Sequence, residues 1–164
     1  MNNPKASLRR PTPTDGIHVY RLIKECESLD LNSAYCNLLQ CTHFSDTSVI
    51  AESGEKILGF TSGYRIPQRP NTLFIWQVAV SAAARGQGIA KRMLENLLTH
   101  KANADLRFIE ASITESNQAS WALFKSLASS LECELTTSTL FDKTEHFAGD
   151  HDSELLVKIG PFRD

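Results

Sequence analysis

The chain has 164 residues, of which 41% are hydrophobic and 22% charged, and this predicts a single folded domain over residues 1–164. The formal net charge of −2, without a basic block, argues against nucleic acid or a membrane surface as a partner. The first residues lack the apolar core of a signal peptide, and no apolar stretch reaches the roughly 20 residues that cross a bilayer, so we expect a cytoplasmic protein.

The four cysteines are expected to be reduced thiols. Cys26, Cys36, Cys41 and Cys133 form no C-x-x-C pair. Cys41 and His43 lie close together, but two ligands alone do not make a metal site. We therefore expect no metal.

The first part of the chain predicts a short strand over 7–10 and a helix over 15–27, where apolar residues recur at helical spacing. A second, short helix follows a cap at Asn32 or Ser33, and we expect Tyr35, Leu38 and Leu39 to face inward. The polar stretch after that helix predicts a loop.

The middle of the chain predicts a hairpin of two strands, 48–52 and 56–64, around a turn at Gly54. Pro67 and Pro70 cannot join a hydrogen-bonded ladder, so a loop over 65–71 is expected to end the second strand. The strand over 72–80 is apolar at both alternating sets of positions and predicts a central strand covered on both faces. Its one polar residue, Gln77, needs a partner there.

The remaining elements alternate between helix and strand. The pattern predicts helices over 88–100 and 118–129, strands over 107–112, 132–140 and 153–159, and a polar loop over 141–152. The strand–helix–strand unit from 72 to 112 predicts a right-handed crossover between parallel strands. The fold class is therefore α/β (α+β): a mixed sheet of about six to seven strands flanked by about four helices.

A glycine-rich turn joins the apolar strand to the helix that follows it. Glycines let the backbone approach a ligand, and the helix start presents unpaired N–H groups, so the turn suits a diphosphate. A dinucleotide fingerprint lacks its third glycine and its acidic residue, and a Walker motif lacks its Lys-Ser/Thr. A glycine-rich helix start without a ligand remains an alternative. The turn reads Arg85-Gly86-Gln87-Gly88-Ile89-Ala90.

The whole stretch resembles the main motif of the GCN5-related N-acetyltransferases, R/Q-x-x-G-x-G/A. A second segment, from Asn117 to Phe124, resembles that family's N-x-x-A-x-x-L-Y segment. The resemblance implies the fold of that family and acetyl-CoA as co-substrate. Phe124 stands where the family has a tyrosine, usually the acid for the departing thiolate, and this leaves the proton donor open. The implied coenzyme contacts are Val78, Ala79, Val80, Arg85, Gly86, Gln87, Gly88, Ile89, Ala90, Asn117, Phe124 and Lys125.

Further segments resemble one subfamily, the L-2,4-diaminobutyrate acetyltransferases of ectoine biosynthesis. They are 29–35, 41–44, 59–64, 76–80 and 151–161. This resemblance implies acetylation of the N4 amine of L-2,4-diaminobutyrate for ectoine synthesis and osmoprotection, and it implies a homodimer. An acetyltransferase for another small amine or a protein amine is the alternative within the same class. A non-catalytic acyl-CoA-binding module is the alternative of another class.

Several residues suit a diamine with one carboxylate. Asp30 offers a carboxylate to an ammonium group, and Trp76 offers a cation-binding face. Asn32, Ser33, Tyr35 and Gln77 can orient the substrate by hydrogen bonds. A helix cap is the alternative role for Asp30, and a plain core position is the alternative for Trp76.

The reaction needs a base, an oxyanion partner and a proton donor. His151 is the candidate base or water-linked relay and a candidate substrate contact. His146 is the weaker candidate. For both histidines, an ordinary position in a surface loop is the alternative. A main-chain N–H of the strand 78–80 would meet the oxyanion, and Tyr35 is the candidate donor to the thiolate.

Overall fold

The computed structural model describes residues 5–163, which form seven β-strands and four α-helices. The strands are β1 Ser7–Arg9, β2 Ser48–Ser53, β3 Lys56–Ile66, β4 Arg69–Val80, β5 Phe108–Thr114, β6 Leu135–Phe141 and β7 Glu154–Ile159. The helices are α1 Gly16–Glu25, α2 Ala34–Thr42, α3 Ile89–Thr99 and α4 Gln118–Ser130. Within residues 5–163, none of the helices has the length and apolar content to cross a membrane.

The strands form one mixed sheet in the order β1-β2-β3-β4-β5-β7-β6. β4 and β5 pair in parallel, whereas β1 with β2, β2 with β3, β5 with β7 and β6 with β7 pair antiparallel. The predicted mixed sheet and the predicted parallel pair are therefore confirmed.

The chain divides into two compact units. The first takes in the residues up to Tyr64 together with Trp76–Ala104, and the second takes in Arg65–Ile75 together with the residues from Asp105 onward. β4 contributes residues to both units. The single domain expected from the chain length stays a prediction.

The first unit has a core between α1, α2 and the sheet. α1 is amphipathic and places its apolar side chains at helical spacing against strands β2, β3 and β4. The core cluster consists of Val19, Leu22, Ile23, Cys26, Cys41, Ile50, Phe60 and Ala79.

The inner face of α2 differs from the prediction. Tyr35 is 69% exposed and Leu38 is also exposed, so the expectation that they face inward is wrong. Asn37, Gln40 and Cys41 form the buried face instead, at the three- and four-residue spacing of one helix side. Asn37 Nδ2 donates to Gln40 Oε1 at 2.8 Å, so part of the polarity is satisfied inside the fold. The helix also continues to Thr42, into the predicted loop.

The prolines do not end β3 where the sequence predicted. β3 runs to Ile66 and β4 begins at Arg69, so Pro67 lies in the turn and Pro70 lies within β4. Pro70 is exposed near the start of the strand, where a missing N–H costs little. Its carbonyl still accepts a hydrogen bond from Arg65 Nη1 at 2.6 Å.

An ionic network ties the first helix to the sheet edge. Arg9 donates to both carboxylate oxygens of Asp15, at 2.8 and 2.9 Å, and reaches Glu52 at 2.9 Å. The backbone N–H of Thr12 donates to the Asp15 carboxylate at 2.7 Å. These contacts, above all the Arg9 hydrogen bonds, lower the pKa of the buried Asp15 carboxyl from 3.8 to about 2.

We predict that Asp15→Asn lowers the free energy of unfolding at neutral pH by about 2 kcal/mol, the equivalent of this pKa difference. Because the folded-state pKa is depressed, the stabilisation is present above the unfolded pKa of 3.8 and is lost as pH falls towards 2. Urea unfolding across this pH range measures the free energy of unfolding of the wild type and of Asp15→Asn. The exposed Asp150→Asn is the control and should keep the wild-type pH dependence. Equal acid sensitivity of wild type and Asp15→Asn would contradict the prediction.

Candidate active site

The turn between β4 and α3 has the backbone that its glycines predicted. Gly86 and Gly88 adopt left-handed conformations, with φ of 75° and 70°, and Gly88 is the N-cap of α3. A Cβ at either position would meet nothing within 4 Å. The left-handed backbone, and not a close neighbouring atom, therefore requires glycine at these two positions. The space beside the turn is open. The first N–H groups of α3 have no intrahelical acceptor, as at any helix start.

The side chains of this turn add positive charge. The exposed Arg85 donates through Nε to the carbonyl of Val80 at 3.4 Å. The Cys26 thiol donates to the same carbonyl at 3.6 Å, which anchors the end of β4 to α1. An open backbone cradle with a helix start and a guanidinium beside it fits a diphosphate.

The second coenzyme motif lies in the second unit. The Asn117 side chain accepts from Ser120 N at 3.2 Å and so caps α4, whatever else it contacts. Phe124 is buried, and Lys125 lies over the Trp121 ring at 5.9 Å. Trp121 donates through Nε1 to the carbonyl of Thr114, which joins the start of α4 to the end of β5.

A hydrogen bond joins two of the predicted substrate segments. Gln77 Nε2 of β4 donates to the backbone carbonyl of Asp30 at 3.3 Å, so Gln77 has the partner that its position required. The α2 cap is Ser33, whose Oγ accepts from Cys36 N at 3.1 Å, and the capping alternative for Asp30 is therefore wrong. The Asp30 residue is exposed beside the partly buried Asn32.

Trp76 belongs to an aromatic cluster formed with Phe44 and Tyr64. Its ring centroid lies 6.4 Å from that of Phe44 and 6.0 Å from that of Tyr64, both in edge-to-face geometry. Trp76 is 42% exposed, so the plain-core alternative is wrong. Sequence reasoning gave Phe44 and Tyr64 no role; the only signal was that both fall in the segments that resemble the subfamily.

In β4, one of the two alternating sets of side chains is not fully covered by the rest of the protein. Leu73, Ile75 and Ala79 are buried, but Val78 and Val80 are only partly buried and Trp76 is exposed. The expectation of a strand covered on both faces is therefore wrong. A half-exposed apolar strand that leads into an open, glycine-rich helix start suits a ligand with an apolar arm and a phosphate group.

The two histidines of the loop between β6 and β7 differ in their hydrogen bonds. His151 Nδ1 lies 2.6 Å from the carbonyl of Asp152, and a carbonyl only accepts, so Nδ1 carries the hydrogen. Neutral His151 thus has its lone pair on Nε2, 3.9 Å from the carboxylate of Glu154. His146 Nδ1 instead accepts from Asp142 N at 2.8 Å, so its lone pair is already used. The arrangement favours His151 as the base, and Glu154 is a residue that sequence reasoning missed.

The loop that carries these histidines is held by its own polar contacts. The Asp142 carboxylate accepts from the N–H groups of Glu145 and Thr144, which lower its pKa. Lys143 Nζ contacts Asp152 at 3.2 Å, and Lys143 N donates to Ser153 Oγ at 2.8 Å. Lys143 therefore ties the start of the loop to the two residues that follow His151.

Within the second unit, the histidine loop and the start of α4 line one open pocket of 570 Å³. Ser116 and Gln118 contribute from either side of Asn117, and Asp152 and Ser153 contribute from the residues after His151. The predicted catalytic loop and the second coenzyme motif thus meet at a shared cavity. Tyr35 belongs to the first unit, where it lies exposed in the first turn of α2. Among residues 5–163, no group of three or more His, Cys, Asp or Glu side chains could hold a metal ion.

The chain is similar to known proteins over nearly its whole length. The L-2,4-diaminobutyric acid acetyltransferase of Methylotuvimicrobium alcaliphilum is 54% identical, over 98% of this chain and 93% of the relative. The protein of the same name from Vibrio cholerae is 50% identical, over 93% of this chain and 88% of the relative. The solved diaminobutyrate acetyltransferase of Paenibacillus lautus, in complex with its substrate L-2,4-diaminobutyric acid and coenzyme A, is 43% identical with a TM-score of 0.92, covering 98% of this chain and 97% of that one.

A family model agrees with these relatives. The acetyltransferase (GNAT) family matches residues 17–128, which include α1 through most of α4. The chain belongs to the GNAT acetyltransferase family.

Proposed function

We propose that this protein transfers the acetyl group of acetyl-CoA to the N4 amine of L-2,4-diaminobutyrate, giving N4-acetyl-L-2,4-diaminobutyrate for ectoine biosynthesis. The likeness to the Paenibacillus lautus enzyme, at 43% identity and a TM-score of 0.92, carries this assignment. We further propose a cytoplasmic homodimer whose product serves osmoprotection.

The coenzyme would be held mainly by main-chain groups. The left-handed Gly86 and Gly88 and the start of α3 fit its diphosphate, and Arg85 adds charge. The partly exposed β4 segment from Val78 to Val80 fits its pantetheine arm. Bound acetyl-CoA supplies an activated thioester, whose carbonyl oxygen a main-chain N–H of this segment would stabilise.

The acceptor would be recognised by charge and by aromatic faces. Asp30 is exposed and can pair with an ammonium group, and the Trp76 ring can lie against the other. Gln77 holds the Asp30 backbone through its hydrogen bond and leaves its buried Oε1 without a protein partner among the described residues.

Proton transfer would begin at His151. A lysine-like amine, with a pKa of about 10, must lose a proton before it attacks. The Nε2 lone pair of His151 can take that proton, and the Glu154 carboxylate lies 3.9 Å from that nitrogen. Because Phe124 carries no hydroxyl, Tyr35 is the candidate proton donor to the thiolate. A thiol with a pKa of about 8.5 is also a fair leaving group unaided.

Acetyl-CoA mixed with diaminobutyrate, with thiol release followed over time, tests the function. Turnover on diaminobutyrate supports it. Turnover only on lysine or peptides would instead indicate an acetyltransferase for another amine. Coenzyme binding without turnover on any amine would indicate an acyl-CoA-binding module.

We predict that His151→Gln lowers kcat by about a hundredfold or more, the usual size of general-base catalysis. Part of the loss should be recovered at high pH, where the amine deprotonates without help. The pH–rate profile measures both effects. His146→Gln is the matched control from the same loop and should keep the wild-type profile. An unchanged profile in His151→Gln would remove His151 from the mechanism.

Asp30→Asn should raise KM for diaminobutyrate by about tenfold or more, since a charged hydrogen bond is worth about 1.5–3 kcal/mol, and should leave KM for acetyl-CoA unchanged. Steady-state kinetics with each substrate varied in turn separates the two constants. Glu27→Gln removes a negative charge from the same exposed loop and serves as the control. If both variants raise KM equally, only general charge attraction is involved.

Gly88→Ala should weaken coenzyme A binding by about fivefold, because a Cβ favours a backbone outside the left-handed conformation of the cradle, and restoring that conformation on binding costs about 1 kcal/mol. Gly54→Ala is the matched control, since Gly54 has a φ of 60°, also faces open space and lies in the β2–β3 turn. Both variants should lose similar thermal stability, but only Gly88→Ala should lose affinity in calorimetric titration. Unchanged affinity in Gly88→Ala would confine that glycine to a folding role.

A further inference from the structure

The loop between β6 and β7 places a phenyl ring against the proposed base. The ring centroids of Phe147 and His151 lie 4.6 Å apart, with 41° between the two ring planes. This distance is within the range of favourable aromatic pairs. The imidazole of His151 therefore has a flat, apolar neighbour on one side.

A tight turn of the backbone makes this contact. Asp150 N donates to the carbonyl of Phe147 at 2.9 Å, so residues 147–150 reverse the chain and return His151 to the side of Phe147. The two central residues of the turn have positive φ, 53° at Ala148 and 88° at Gly149. The left-handed conformation is unfavourable for alanine because of its Cβ. Backbone strain of this kind is typical of functional sites, where the surrounding structure maintains it.

The hydrogen bond of His151 leaves its ring one freedom that the phenyl ring restricts. Nδ1 donates to the carbonyl of Asp152 at 2.6 Å, but a ring held by one hydrogen bond can still rotate about the direction of that bond. The His151 side chain is 42% exposed, so solvent leaves room for such a rotation. The rotation would move Nε2, the atom that must come within hydrogen-bond reach of the amine proton.

Phe147 is itself supported by a second ring. Phe141, the last residue of β6, lies 6.2 Å from Phe147 in edge-to-face geometry, and Phe147 is half-buried. The phenyl group of Phe147 can neither take nor give a proton. We propose that Phe147 is a positioning residue that holds the His151 imidazole in one orientation and so directs Nε2 for proton transfer. This inference rests on the proposed function, in which His151 is the base.

Substitution of the ring tests this role. Phe147→Leu should lower kcat at neutral pH by about tenfold and change KM for diaminobutyrate less than about twofold, because a misdirected base slows proton transfer without removing a substrate contact. Part of the loss should be recovered at high pH, where the amine deprotonates without help. Phe147→Tyr keeps the ring and should keep the wild-type kcat. Phe162→Leu removes a half-buried phenyl ring elsewhere in the second unit and is the control.

A double variant separates positioning from general damage to the fold. Phe147→Leu added to His151→Gln should cost no further activity, since no base remains to be positioned. The NMR shifts of the His151 ring protons measure the contact itself: the ring current of Phe147 should displace them in the wild type and in Phe147→Tyr but not in Phe147→Leu. Circular dichroism and coenzyme A titration show whether each variant is folded.

The outcomes distinguish the positioning role from the function on which it rests. Equal losses of kcat from Phe147→Leu in the wild-type and His151→Gln backgrounds, with normal wild-type turnover, overturn the positioning role alone. An equal loss in Phe162→Leu overturns it as well. A wild type that releases no thiol with diaminobutyrate overturns the proposed function, and the positioning role with it.

Discussion

The parallel pairing of β4 with β5 is the constraint on which the rest of this structure depends. Parallel neighbours cannot be joined by a tight turn, so the chain must leave the end of β4 and return through a crossover. The helix α3 lies in that crossover and begins at Ile89, after the turn that follows the end of β4 at Val80. Gly86 and Gly88 make the change of direction possible because their left-handed backbone turns the chain within a few residues. The glycine turn, which is the proposed diphosphate site, is thus a consequence of sheet topology.

The first unit buries several polar side-chain atoms that have no hydrogen-bond partner among the described residues. Asn37 and Gln40 are fully buried on α2, yet Asn37 Oδ1 and Gln40 Nε2 have no protein partner among the described residues, and the same holds for Gln77 Oε1. Each unsatisfied buried group costs about 1–3 kcal/mol. Departures of this kind are typical of functional regions, where position matters more than stability. α2 begins at Ala34, directly after its Ser33 cap, so the predicted residues Ser33 and Tyr35 lie at the start of the helix that buries Asn37 and Gln40.

The second unit obtains its proposed base from hydrogen bonding rather than from burial. The Asp152 carbonyl fixes the hydrogen of His151 on Nδ1 and frees Nε2, whereas the Asp142 N–H occupies the equivalent lone pair of His146. The same loop contacts the end of β6 through the Phe147 ring. A single short loop therefore orients the histidine and connects it to the exposed edge of the sheet.

The sequence by itself determined the features that depend on local backbone chemistry: the order of strands and helices, the glycine turn, a helix cap at Asn32 or Ser33 and the family resemblance. Each follows from residues that are neighbours in the chain, so spacing and conformation were enough to predict them. Only the tertiary structure decided that α2 buries Asn37 and Gln40 while exposing Tyr35 and that Trp76 joins Phe44 and Tyr64. It also gave the two histidines different hydrogen bonds: Nδ1 of His151 donates to a carbonyl, whereas Nδ1 of His146 accepts from an N–H group. These outcomes depend on which distant groups share a burial site or a hydrogen bond, and apolar periodicity carries no information about such partners.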